Sequence, residues 1–100
     1  MLNGSKIRAE PSANVNPTLT LFGHSFCSLC AEMQRALEAL APRLKFELEL
    51  IDIEGRPELE ARFGDFVPVL FCGDEKVCHY YLDEERLRDV LDRRHGYRTA

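Results

Sequence analysis

The chain contains no tryptophan, only two methionines, and no apolar run near the ~20 residues that span a bilayer. A membrane role is not expected. It also lacks a basic excess: 13 Lys and Arg face 17 Asp and Glu, a formal charge of −4. That balance argues against nucleic-acid binding, which needs counterion-releasing cationic surface. The first seventeen residues carry Lys6 and Arg8 but no apolar segment of signal-peptide length, so a cytoplasmic protein with reduced thiols is the expectation. Repeats and heptads are missing too. What the chain does have is 45% hydrophobic residues in a length of 100, enough for one core and one domain.

Turn formers crowd the start (Asn3, Gly4, Ser5, Pro11, Ser12, Asn14, Asn16, Pro17) without apolar periodicity. A flexible arm over 1–17, an ordered domain over 18–95 and a frayed end over 96–100 are expected. Leu19 and Leu21 alternate with Thr18 and Thr20, which predicts a first strand ending at Gly23. Met33, Leu37, Leu40 and Leu44 then recur at helical spacing, with Pro42 predicting an end or bend just before it. Phe46, Leu48 and Leu50 alternate before Ile51 and Ile53 change phase, as in a strand whose later part is buried on both faces. Gly55 and Pro57 announce a short helix with Leu59 and Phe63 inward and Gly64 as its stop. Val69 to Phe71 and Val77 to Tyr81 flank a polar turn and predict a hairpin. Asp83 caps a last helix that buries Leu87, Val90 and Leu91 and ends with Arg93 and Arg94. The order β-α-β-α-β-β-α describes an α/β fold with helices on both faces of a mixed sheet.

Against that background, Cys27-Ser28-Leu29-Cys30 stands where the first strand gives way to the first helix. A thiol reacts as its thiolate, and a free cysteine with pKa near ~8.5 is only about 3% ionised at pH 7. A helix N-terminus favours the thiolate through its unpaired N–H groups and its dipole. Glu32, read as part of the first turn, opposes that effect, and the nearest strong cation in sequence is Arg35. Geometry makes Cys27 the attacking thiol and Cys30, one turn further in, the shielded resolving thiol. The pair also falls at the carboxyl end of the first strand, the edge where open α/β sheets place their chemistry.

Bland readings stand beside this one. A zinc half-site would need two further donors, and Cys72, Cys78 and His79 offer a Cys-x5-Cys-His spacing that matches no common zinc knuckle. With a hairpin turning about Asp74-Glu75, Cys72 faces Val77 and Cys78 lies beside Phe71, so buried core thiols are expected rather than a bridge. His24 reads equally as a tuner of Cys27 or as a loop residue without function. Tyr80 and Tyr81 are expected to divide between packing and covering the sheet. Phe26, beside the thiols, is the better candidate for an exposed substrate contact.

Two local signatures, Cys27-Ser28-Leu29-Cys30 after the first strand and Val67-Pro68 before the third, resemble the thioredoxin-fold superfamily, and within it the small bacterial glutaredoxin-like proteins. The resemblance covers roughly Thr18 to Arg94. It implies a thioredoxin/glutaredoxin-like fold with a central four-stranded mixed sheet. It implies further that Pro68 is cis and faces the cysteines, and that Val67 offers its backbone to a peptide or thiol substrate. Glutathione-using members carry a basic residue before the first cysteine, a Pro-aromatic pair between the cysteines, and a Gly-Gly-x-Asp turn. Here the corresponding residues are His24-Ser25-Phe26, Ser28-Leu29 and Tyr80-Tyr81-Leu82-Asp83.

The expectation is a thiol–disulfide oxidoreductase: catalytic Cys27 and Cys30, with Phe26, Val67 and Pro68 meeting the substrate, a disulfide-containing protein or a low-molecular-weight thiol. No metal or organic cofactor is bound in this reading, and the chain works as a monomer. Glutathione or a thioredoxin-reductase-like flavoprotein supplies the electrons. The alternative of another class is a non-catalytic thioredoxin-fold module that holds a partner peptide at the proline edge.

Overall fold

Alternation along the strands sends apolar side chains to both faces of one sheet, and helices cover the two faces unequally. The computed structural model describes residues 16–96. The elements are β1 (Thr18–Gly23), α1 (Ser28–Leu44), β2 (Glu47–Asp52), α2 (Pro57–Phe63), β3 (Val69–Cys72), β4 (Glu75–His79) and α3 (Glu84–Gly96). Residues 1–15 of the expected arm and residues 97–100 lie outside the described residues. The strands lie in the order β2-β1-β3-β4, with β1 and β2 parallel and the other two pairs antiparallel.

Leu19 and Leu21 of β1 and Leu70 and Cys72 of β3 face α1 and α3, where they meet Met33, Leu37 and Leu40 and then Leu87, Val90 and Leu91. This is the larger core. Truncating a residue such as the fully buried Leu37 to Ala costs about 2–5 kcal/mol. The intervening residues Phe22, Val69 and Phe71 face the other way, toward Phe63 and Leu59 of the short α2 and toward Ile53. Phe22 stacks on Phe63 at 4.5 Å, and Phe71 meets both rings edge-on.

Three local expectations need correction. First, of the end or bend expected just before Pro42, the end does not occur: α1 runs on to Leu44. Proline removes one N–H and crowds the preceding turn, yet Leu44 gains contact with the main core, and Lys45 closes the helix in a left-handed conformation (φ 65°) by donating its N–H to Ala41 O at 2.8 Å. Second, β2 is not buried on both faces. It is an edge strand with Leu50 48% exposed, and the change of phase marks the chain leaving the sheet toward the buried Ile53.

Third, the hairpin turns on Gly73-Asp74, two residues only, because Gly73 takes the left-handed φ of 62° that starts the return. Cys72 therefore pairs with Glu75 rather than facing Val77. A register shift at Leu70/Phe71 then sets Cys78 opposite Leu70, and both Val77 and Cys78 reach the core. β4 stops at His79, so Tyr80 and Tyr81 lie beyond the strand and both are exposed. The last helix follows expectation: Asp83 Oδ1 accepts the Arg86 N–H at 3.0 Å. Glu75 draws in Arg93 at 2.9 Å and Arg86 at 3.4 Å, tying α3 to the hairpin.

Candidate functional site

At the end of β1 the chain turns through His24, Ser25 and Phe26 and enters α1 with Cys27 as its N-cap, in extended conformation (φ −113°, ψ 114°). The cap places sulfur where serine or aspartate oxygen usually sits: the Cys30 N–H donates to Cys27 Sγ at 3.1 Å. Cys27 Sγ thus holds one of the helix's unpaired donors while remaining partly exposed. No acidic side chain stands in the first turn, so the expected opposition from Glu32 is corrected: it lies further along the helix.

Cys30 is placed differently, at 7% exposure and tight against the end of β1. A Cβ on Gly23 would come within 3.0 Å of Cys30 Sγ and 3.2 Å of its Cβ, so any larger residue there would make the thiol give way by a few tenths of an ångström. Burial first, and then the hydrogen bond with Cys27, push the Cys30 thiol up to about 11, against a smaller opposing pull from the His24 backbone. Two cysteines one turn apart therefore differ in exposure and in hydrogen-bonding role.

Because Phe22 pairs with Val69, the start of β3 lies at the same sheet edge as Gly23 and the cysteine turn. The Val67–Pro68 bond there is cis, and Pro68 is buried. Val67 is half-buried, and its own N–H and C=O bond to no other described residue. Tyr80 holds this turn from the other side. Its N–H donates to Pro68 O at 2.9 Å and its hydroxyl donates to Asp65 O at 2.7 Å. That role was missed from the residues alone, since it depends on a positive φ of 65° at a tyrosine just past β4, which no local pattern announces. Phe66 and His79 pack edge-on at 5.7 Å beside it. Phe26, adjacent to Cys27, projects at 96% exposure.

The other candidates do not join this edge. Cys72 and Cys78 are free thiols in the main core, and burial raises both above the ordinary thiol range. Among the described residues, the group of three potential metal donors that does come together, His24, Asp52 and Glu54, contains no thiol. The four-ligand zinc arrangement of cysteines with His79 is not formed. Asp83 has one carboxylate oxygen committed to the start of α3.

Residues 18–92 match the family described as Glutaredoxin-like domain (DUF836). The chain is 31% identical over 82 residues to the uncharacterized protein Rv0508 of Mycobacterium tuberculosis, covering 77% of this chain and 84% of that one. Its structure is similar to that of protein Ne2328 from Nitrosomonas europaea, with a TM-score of 0.71, 34% identity, and 86% of this chain and 100% of that chain covered. The likeness extends, at the level of fold, to a thioredoxin from Halobacterium salinarum (TM-score 0.58, 24% identity, 85% and 80% covered). With the cis-proline turn, the cysteine-capped helix and the β2-β1-β3-β4 sheet already in place, these matches establish that the chain belongs to the glutaredoxin-like domain family of the thioredoxin fold.

Proposed function

We propose that the protein is a thiol–disulfide oxidoreductase that reduces disulfides with Cys27 and Cys30. The observation that carries the reading is the asymmetry of the pair: Cys27 Sγ is reachable and accepts a helix N-terminal N–H at 3.1 Å, whereas Cys30 is buried beneath it. Cys27 attacks a substrate disulfide, forming a mixed disulfide and releasing one thiol. Cys30 then attacks Cys27 Sγ, releases the second thiol and leaves a Cys27–Cys30 disulfide. A reductant restores the dithiol, either glutathione or a thioredoxin-reductase-like flavoprotein.

Support for a substrate path comes from the sheet edge. Val67 has free backbone groups that suit an extended segment, Pro68 shapes the turn, and Phe26 offers an exposed ring beside the thiol. This geometry favours a polypeptide or thiol lying across the edge.

The test separates the two thiols. Cys30→Ser should capture a disulfide substrate once and stall as a covalent adduct at Cys27, visible by mass spectrometry, whereas the unaltered protein should turn over insulin or a model mixed disulfide. Absence of both adduct and turnover would count against the oxidoreductase reading. The same assay, driven in turn by glutathione with its reductase and by a flavoprotein reductase, identifies the reductant.

A further inference from the structure

Beside Cys30 lies a cavity of about 180 Å³, bounded by the end of β1, the first turns of α1 and the edge strand β2. Its polar lining consists of His24, Ser25, Gln34 and Asp52, and Cys30 forms part of the same wall. Cys27 is not among the residues lining it. The cavity therefore serves the buried thiol, on the side away from the substrate edge defined by Pro68.

The polar groups are arranged in sequence. Asp52 is fixed by the Ser25 hydroxyl at 3.0 Å and by the Glu54 N–H at 2.9 Å, and these bonds, the Glu54 one first, hold its carboxyl below the usual range. It is therefore ionised at neutral pH. Donor atoms of His24, Asp52 and Glu54 lie within 4.8 Å of one another, so two carboxylates stand beside the imidazole. The cavity has room for several waters between the imidazole and Cys30. Of the groups that face Cys30, Gln34 from α1 does not titrate, Asp52 from β2 is already ionised, and Cys27 is occupied in the mixed disulfide. Imidazole is the side chain suited to proton transfer near neutrality.

Resting on the oxidoreductase reading above, we infer that His24, positioned by Asp52, accepts the Cys30 proton through water in this cavity during the resolving step. The Cys30 S–H bond breaks, its proton passes to the imidazole, and the sulfur's electron pair attacks Cys27 Sγ. The Cys27–substrate S–S bond breaks, and the substrate sulfur leaves with that bond's electrons. The proton then returns from His24 to the leaving thiolate by way of solvent. The net change is one mixed disulfide plus one thiol giving the Cys27–Cys30 disulfide plus one free thiol.

The experiment uses a nitrothiobenzoate disulfide as probe, because capture by Cys27 and release by Cys30 each free one coloured thiolate. In stopped flow at neutral pH, His24→Gln should lower the ratio of release rate to capture rate by about tenfold or more. The deficit should shrink as pH rises toward the Cys30 value of about 11, where hydroxide replaces the imidazole. Added imidazole should restore much of the ratio in His24→Ala, which a purely structural role for the ring would not allow. Asp52→Asn, which keeps the imidazole, should lower the ratio by a smaller factor. A ratio within twofold of the unaltered protein in both His24→Gln and Asp52→Asn, or a deficit that neither pH nor imidazole relieves, overturns the inference. Failure of the unaltered protein to capture the probe at all would instead sink the oxidoreductase reading itself.

Discussion

The chain holds two pairs of cysteines close in sequence, and the fold treats them in opposite ways. Cys27 and Cys30 meet at a helix N-terminus on the sheet edge, whereas Cys72 and Cys78 sit on neighbouring strands and face the main core. In the second pair Leu70, Val77 and the helix residues beyond them surround the thiols, and although the Asp83 backbone hydrogen-bonds the Cys78 sulfur, desolvation leads the rise of both. In the first, a backbone N–H points at sulfur, and only one of the two thiols is buried. Reactivity here belongs to the place and not to the residue type. A strand commits its N–H groups to the neighbouring strand, whereas the first turn of a helix has donors to spare.

The sharpest way to break this comparison is Cys27→Ser. Serine is itself a favoured N-cap, so the helix start should persist and the thermal midpoint should stay within about 3 °C, while disulfide turnover falls to the level of the assay without protein. Measurable turnover in that variant would show that the chemistry lies elsewhere. The reverse pattern is expected of Cys72→Ser. At 1% exposure the new hydroxyl enters an apolar core, so stability should fall by about 1–3 kcal/mol in urea unfolding with turnover unchanged. Cys78, at the margin of burial, should give the same sign and a smaller loss.

Much of this contrast was legible in the residues. Period-two and helical spacing located all seven elements, the motif at the strand-to-helix junction pointed to both candidate thiols, and the family resemblance supplied the cis bond at Pro68. What stayed hidden depended on partners distant in sequence. That β2 is an edge strand follows from sheet order, which its alternating Leu48 and Leu50 do not encode. The pairing of Cys72 with Glu75 followed from the left-handed Gly73, which moved the turn and the register with it. Tyr80 as the clamp on the proline turn needed a backbone conformation unusual for tyrosine, and the cavity shared by His24 and Cys30 joins β1, α1 and β2 in space.

The finest test sets the buried thiols of both pairs against pH. Cys30, Cys72 and Cys78 all lose protons less readily in the folded chain than in the unfolded one, with burial as the leading cause. A thiol raised in this way binds its proton more tightly when folded. Its contribution to stability is therefore complete below the unfolded value of ~8.5 and is lost as pH climbs through the folded value, about 11 for Cys30. Urea midpoints should hold level from neutrality to about pH 8 and then decline progressively toward pH 11. Cys30→Ala should flatten part of that decline without abolishing it, because the two core thiols still titrate late. If the decline vanished completely in Cys30→Ala, the core thiols would not differ between folded and unfolded chains, and the contrast between a buried pair and a half-exposed pair would have to be redrawn around Cys30 alone.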